Sequence, residues 1–375
     1  MSRGLLVHDW IEPTGGSEKV VDEFAKLFPG APLFCLWNND PDRYGDRPVH
    51  QSWIARTPLR DRKAMSLALM SRAMRHASVQ QADWALVSSH SFAHHFGSNG
   101  TTRAVPTGVY VHSPARYLWA PEIDPRGQSR AIRSVAGIFR AQDRKYAGAG
   151  ASYSVNSQYI ADRVRRAWGI ESSVIHPPID VDHLVDAAAQ PDSPESDKLG
   201  ALPRDFVLGA SRFVSYKRLD AVIRFGESTD RPVVLAGSGE DEARLRRIAA
   251  TARVPVHFFG RPSDAALSHL YRSCAVYVFP PVEDFGMMPA EAMACGARVI
   301  VNRDGGAGEI LASLGGGVTH DFRHESAHTI LDEALGQTPP TVEDVRRLLG
   351  PVRFRQQVYD WLDRELPVEL PPSAV

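Results

Sequence analysis

The chain has 375 residues, 43% of them hydrophobic and 23% charged, the balance of a globular protein with material for two cores. Its 43 basic residues nearly cancel its 44 acidic ones, leaving a formal charge of -1; no global field favours nucleic acid or an acidic partner, and any anion must be held locally. No stretch approaches the ~20 apolar residues of a spanning helix, and the apolar run at 4–7 is too short for a signal peptide, so a cytoplasmic protein is expected, at most peripheral to a membrane.

Short apolar runs alternate with helical spacing throughout. In the first half they predict strands at 5–8, 32–36, 84–88, 108–112, 152–156 and 173–176; in the second, at 206–209, 232–236, 256–259, 275–279, 298–301 and 317–320. That alternation is the mark of α/β architecture with two doubly wound parallel sheets. The division expected is a first domain at 1–178, a second at 179–350, and a terminal segment at 351–375. The last amphipathic run carries Phe354, Val358, Trp361 and Leu362 on one face; with no sheet after it, it is expected to cross back onto the first domain. Pro177-Pro178, a helical fragment and the polar stretch 190–198 read as the hinge region, because the polar composition cannot build a core.

Along the first half, a strand ends at His8 and is followed by Asp9-Trp10 and the turn Gly15-Gly16-Ser17-Glu18, which opens an amphipathic helix. Asp40-Pro41-Asp42, and later Asp180-Val181-Asp182, have the D-x-D form of metal-dependent transferases, but one lies in a turn and the other at the hinge. Within 56–76, Arg56, Arg60, Arg62, Lys63, Arg72 and Arg75 surround Met65, Leu67, Leu69, Met70 and Met74. Such a helix either lies on anionic lipid or packs on the sheet with a solvated basic flank. His90, His94 and His95 include i, i+4 spacing, yet no carboxylate or cysteine accompanies them at ligand spacing, so no metal is expected there. His112 ends a strand. Cys35, Cys274 and Cys295 form no CxxC pair and sit in apolar stretches, where buried free thiols in a reducing compartment are expected.

The second half holds the densest chemistry. A strand ends at Gly209 and helical spacing resumes at Leu219, which puts Arg212 and Lys217 on a strand-to-helix loop. Two fixed cations there can neutralise a diphosphate, most of all when its leaving oxygen gains charge. After the strand at 275–279 come Glu283, Phe285-Gly286-Met287-Met288-Pro289 and Glu291, with Pro289 and Gly296 placed to start and stop a short helix. Carboyxl ends of parallel strands form the ligand crevice, so Glu283 is expected on its rim and Glu291 in the helix's first turn. Carboxylates accept from hydroxyls and free helix amides bind anions, a combination suited to a sugar on a diphosphate. The plainer alternatives are a solvated Glu283 and a Glu291 that only complements the helix dipole.

The order and spacing of these segments resemble the retaining glycosyltransferases of family 4, with the two-lobed GT-B fold: two Rossmann-like doubly wound domains facing across a cleft. The likeness rests on the pair Glu283 and Glu291 with Phe285-Gly286 between them, the loop from Arg212 to Lys217, the turn Gly237-Ser238-Gly239-Glu240, and Phe258-Phe259-Gly260-Arg261. Residues 109–119, 156–159 and 174–178 look most like the bacterial branch of mannosyltransferases that uses GDP-mannose. The resemblance implies that Glu291 holds the ribose, Glu283 the sugar hydroxyls, and Arg212 and Lys217 the diphosphate. It implies further that Gly260 and Arg261 meet the base, that amides at Gly15 and Gly16 approach the phosphate, and that His112 bonds the donor sugar. Gly237, Gly286, Met287 and Met288 complete the implied donor site. No cofactor and no metal are implied; the acceptor would be a hydroxyl of a glycan or lipid-linked molecule, transfer would retain the anomeric configuration, and any membrane contact would use 56–76. A sugar-nucleotide epimerase and a non-catalytic binder of nucleotide sugars are the competing readings of such a fold.

Overall fold

The first strand, β1 (Gly4–His8), is buried along its whole length, which requires cover on both faces. In the structure, a computed structural model that describes residues 2–61, 63–77, 82–124, 127, 130–187, 193–322 and 326–373, it lies near the middle of a parallel sheet. Its neighbours are β2 (Leu33–Cys35), β3 (Val49–Gln51), β4 (Trp84–Ser89), β5 (Thr107–Val111), β6 (Ser152–Val155) and β7 (Ser173–Val174), in the order β3-β2-β1-β4-β5-β6-β7. A second parallel sheet contains β8 (Val207–Ala210), β9 (Val233–Ala236), β10 (Val256–Gly260), β11 (Val276–Phe279), β12 (Val299–Asn302) and β13 (Gly317–His320), ordered β10-β9-β8-β11-β12-β13. Each sheet reverses its strand order once, between β1 and β4 and between β8 and β11. The loops leaving those strands part there, and the gap between them is where an open α/β sheet accepts ligands.

Contacts divide the chain into one unit of 1–178 with 351–375 and another of 179–350. In the first unit, helix Pro351–Glu365 buries Phe354, Val358, Trp361 and Leu362 against helix Gly16–Leu27. Phe354 stacks on Phe24 at 5.8 Å, and Arg355 pairs with the buried Glu23. Each such side chain contributes ~1.5–3 kcal/mol of burial, enough to hold a terminal helix that has no strand after it.

Two expectations are corrected, and one open pair of alternatives is narrowed. β3 is not legible in the sequence, because Val49-His50-Gln51 is a three-residue edge strand, two of its residues polar and exposed, with no periodicity to detect. The polar stretch 190–198 is not simply a hinge: residues 190–192 lie outside the described residues, but Ser193–Gly200 is a helix of the second unit. Leu199 anchors that helix in the core, and Glu195 accepts a 2.9 Å bond from the Ser263 backbone, so two contacts offset a composition that has little to bury. Of the two alternatives for the basic segment, its described side chains favour packing on the sheet: in helix Lys63–Arg75, Met70, Ala73 and Met74 belong to the first unit's core and Leu67 and Leu69 pack against it. Arg62, and the side chains of Lys63 and Met65, lie outside the described residues. Among the described residues no helix is long and apolar enough to cross a membrane.

Candidate functional site

In the second unit the loop after β8 is anchored by Phe213, 1% exposed, whose backbone bonds Ser238 at 2.8 Å and Asp241 at 2.9 Å. The loops after β8 and β9 therefore lie backbone to backbone. Gly237, at φ +141°, answers that need, because a Cβ there would meet the Ser211 carbonyl at 1.9 Å. Beyond Phe213 the chain makes a 3-10 turn at Ser215–Lys217, and Arg218, at φ 52°, redirects it into helix Leu219–Ser228. Lys217 thereby reaches Glu283 on the loop after β11, and the two form an ion pair with side chains 12% and 14% exposed. The Lys217 ammonium also lies 5.4 Å from the Phe279 ring centroid. Arg212 on the same loop is exposed and donates to the Tyr216 hydroxyl at 2.9 Å, with no ion pair among the described residues.

Glu283 is held by supports that sequence reading missed. Its carbonyl accepts from Gly306 at 2.8 Å, and Asn302 donates to the carbonyl of Pro280 at 2.8 Å. The visible signal was the Asn302-to-Gly306 run directly after β12, a strand end followed by two glycines. Gly286 caps helix Met287–Ala294 in a left-handed conformation, and the half-buried Met287 and Met288 open it. Glu291 stands fifth in that helix, in its second turn rather than its first, and is 8% exposed. It lies near Tyr277, whose hydroxyl donates to the Ala210 carbonyl at 3.0 Å; burial and then the Glu291 charge raise that phenol well above its ordinary range. Phe285 is core, packed with Ile179, Ala290 and Val345, so only its backbone is left for a ligand. Gly260 accepts from the Gly237 amide at 2.7 Å, and Arg261 beside it is exposed.

The first unit brings together groups far apart in sequence. Asp9, fully buried, accepts from the backbone amides of His90, Ser91, Phe92 and Ala93 at 2.7–2.9 Å and so shapes the loop after β4. Burial alone would raise its carboxyl, but His90, His8 and those amides outweigh it and hold it below the usual range. His8 Nδ1 lies 3.0 Å from Ser88 Oγ, and Ser88 Oγ lies 2.8 Å from His112 Nε2. Burial first, then His90, pushes His8 down to about 4 and His112 well below its ordinary value. A carboxylate lies against the glycine turn: Glu18 accepts from the Glu12 amide at 3.2 Å and from Ser17 Oγ at 2.8 Å. A Cβ on Gly15 would lie 2.0 Å from Glu18 Oε2, the movable end of a side chain, so the Glu18 carboxylate sits directly against this glycine.

His94 and His95 do have a carboxylate partner, contrary to the reading from spacing. Asp143 of helix Arg130–Ala147 places Oδ1 2.9 Å from both Nε2 atoms, making the one group among the described residues with metal-ligand atoms within 4.8 Å of one another. The network is also complete as hydrogen bonds. Ser89 and Ser71 face the two Nδ1 atoms at 3.0 and 2.8 Å, and the indoles of Trp119 and Trp168 donate to Asp143 Oδ2 at 2.6 and 2.8 Å. A cavity of about 1040 Å³ opens at the amino ends of β1, β2 and β4, lined by Gly4, Pro32 and Trp84 among others; no residue singled out for donor binding lines it. The thiols are free; Cys35 is buried, Cys274 and Cys295 are half-buried, and burial raises all three, Cys35 and Cys274 to about 12.

Comparison with known proteins places these features in a family. Residues 14–183 match the family described as Glycosyltransferase Family 4, and residues 194–344 match Glycosyl transferases group 1. A Corynebacterium glutamicum protein named as a GDP-mannose-dependent monoacylated alpha-(1-6)-phosphatidylinositol monomannoside mannosyltransferase is 28% identical over 195 residues, 48% of this chain and 51% of that one. The serotype-specific mannosyltransferase WbdA of Escherichia coli is 30% identical over 183 residues, 44% of this chain and 19% of its own length. The chain thus spans about half, or less, of the curated relatives it matches. The crystal structure of Anabaena HepE in complex with UDP superposes with a TM-score of 0.69 at 17% identity, covering 96% of this chain and 100% of that one, which establishes the GT-B fold. With both sheets matched in turn by the two family descriptions, the chain belongs to the family 4 glycosyltransferases.

Proposed function

We propose that this protein transfers a hexosyl group from a nucleoside-diphosphate sugar to a hydroxyl of a glycan or lipid-linked acceptor, with retention and without a metal. Mannosyl from GDP-mannose is the first-choice donor, in keeping with what the Corynebacterium relative is named for. The observation that carries the reading is the Lys217–Glu283 pair at the reversal point of the second sheet. It sets a cation for the diphosphate beside a carboxylate for sugar hydroxyls. Unliganded, the two neutralise each other; an arriving diphosphate competes for the ammonium, and the carboxylate so released is free to accept from the sugar. Arg212, without an ion pair, adds the second positive charge as the leaving oxygen becomes anionic. Glu291 is assigned the ribose, Gly260 and Arg261 the base, Gly237, Phe285, Gly286, Met287 and Met288 further donor contacts through their backbone, Gly15 and Gly16 the phosphate, and His112 the sugar.

The proposed setting is the cytoplasm, where contact with an anionic membrane face would depend on the exposed Arg56 and Arg72 and not on Met70, which is buried between them. Thermal-shift titration with GDP-, UDP- and ADP-sugars tests the donor, since a ligand that prefers the native state raises its melting point. GDP-mannose is expected to give the largest shift. Product analysis with donor alone and with acceptor tests the reaction: transfer only with acceptor supports it, and an isomerised donor released without acceptor would replace it with epimerisation. No stabilisation by any of the three donors overturns the proposal.

A further inference from the structure

His112 sits in a chain of hydrogen bonds whose polarity can be worked out from one fixed end. His8 and Ser88 are register partners on β1 and β4, and Ser88 pairs with Tyr110 on β5, two residues before His112. Parallel pairing points these side chains to one face of the sheet. The fixed end is the Ser88 carbonyl, 3.2 Å from His8 Nδ1, because a carbonyl oxygen only accepts. His8 Nδ1 therefore carries its proton, which it shares between that carbonyl and Ser88 Oγ at 3.0 Å. With a donor already pointing at it, Ser88 Oγ cannot donate back to His8, and His112 Nε2 at 2.8 Å is the one other partner of this hydroxyl among the described residues, so its hydrogen goes there. His112 Nε2 is thus an acceptor, and in a neutral imidazole the proton must then be on Nδ1. The surroundings keep both rings neutral: burial is the main cause, His90 stands beside each, and Glu18 and Asp9, which oppose the effect at His8, do not reverse it.

We propose that His8 and Ser88 are positioning residues that lock His112 in the Nδ1–H form, so that it offers a ligand a hydrogen-bond donor and not a base. No described residue bonds His112 Nδ1, whereas its Nε2, its amide (2.8 Å to the Ser89 carbonyl) and its carbonyl (3.0 Å from Asn156 Nδ2) are all engaged. Ring nitrogen Nε2 and the backbone on both sides of the residue are held, and Nδ1 is the polar atom that remains. A donor at that atom suits a sugar oxygen; it cannot take the proton of an attacking hydroxyl. This deepens the transferase proposal and rests on it only for the identity of what Nδ1–H meets.

Two-bond proton–nitrogen correlation spectra of the full chain labelled with nitrogen-15 histidine read the tautomer directly, with His112→Gln identifying the His112 signals. The expected result is a protonated Nδ1 and a bare Nε2 at neutral pH. Ser88→Ala is expected to mix the tautomers and lower kcat by about tenfold with little change in KM, the loss of one oriented hydrogen bond; Ser88→Thr is expected to restore both. His8→Asn keeps an N–H at the position of Nδ1 and is expected to preserve the tautomer, whereas His8→Leu is expected to lose it. A wild-type His112 protonated on Nε2, an unchanged tautomer in Ser88→Ala, or a His8→Asn as damaging as His8→Leu each overturns the proposal. The wild-type spectrum decides even if a variant fails to fold. A locked Nδ1–H in a protein that uses no nucleotide sugar upholds the positioning while removing the transferase reading.

Discussion

The loop after β8 and the cluster after β1 occupy equivalent places, each at the reversal point of a parallel sheet, yet they are built by opposite means. The second unit puts an ammonium and a carboxylate on loops, paired and still touched by solvent. The first unit puts imidazoles on or next to strands, His8 buried and His112 half-buried, both neutral and joined through a serine. Charge on a loop can exchange an internal partner for a ligand at little structural cost; a buried neutral relay cannot change partners and so serves to orient. The loop pair should therefore govern turnover, and the buried cluster should govern stability and geometry.

The sharpest test of that division is to break the pair. Lys217→Ala or Glu283→Ala is expected to lower kcat/KM by about 10³-fold or more, since the first removes charge compensation at the departing diphosphate and the second the acceptor that orients the sugar hydroxyls. Both variants should still fold, at a cost below the ~3–5 kcal/mol of leaving a fully buried charge unpaired, because each side chain keeps some contact with solvent. Near wild-type turnover in either variant would end the assignment. A comparison inside the second unit separates loop geometry from ligand contact. Gly237→Ala is expected to cost about 3 kcal/mol in denaturant unfolding, since a left-handed φ is strained and the added Cβ strikes the Ser211 carbonyl. Gly260→Ala, at φ +88° but with open space at the Cβ, is expected to cost only ~1–2 kcal/mol. Equal costs would mean that the loops after β8 and β9 do not pack as described.

The gentlest test is pH. His8 and His95 are lowered to about 4 and His112 lies well below 6.5, and all three belong to the first unit. Between pH 6.5 and 4 the unfolded chain protonates these imidazoles and the folded chain does not, so their contribution is complete above that window and is lost as pH falls through it. Each is expected to remove up to ~1.4 kcal/mol per pH unit, followed by amide exchange resolved to the first unit. Asp9 and Asp143, whose carboxyls are depressed, add their loss only below about pH 4. First-unit stability that is flat from pH 6.5 to 4 would contradict a buried neutral cluster.

Legibility followed the range of the interactions. Every strand with a continuous apolar run was visible, and β3 was not, because its three residues are held by β2 and carry no pattern of their own. Arg212, Lys217, Glu283 and Glu291 stood out because loop chemistry is written in short contiguous segments. Asp9, Ser88 and Asp143 did not, since each acts on residues about fifty to eighty positions away. The helix at Ser193–Gly200 was hidden by its polar composition, which shows its purpose only when Ser263 arrives to meet Glu195.

By itself the amino-acid order determined the two α/β units, their alternating elements and the charged loops of the second, because hydrophobic period and turn chemistry act within a few residues. Only the tertiary structure decided that Lys217 and Glu283 neutralise each other, that Glu18 fills the glycine turn, and that His112 is bonded through Ser88 to His8. Those outcomes depend on which strands lie side by side and in what register, and pairing between distant strands leaves no mark in any one of them.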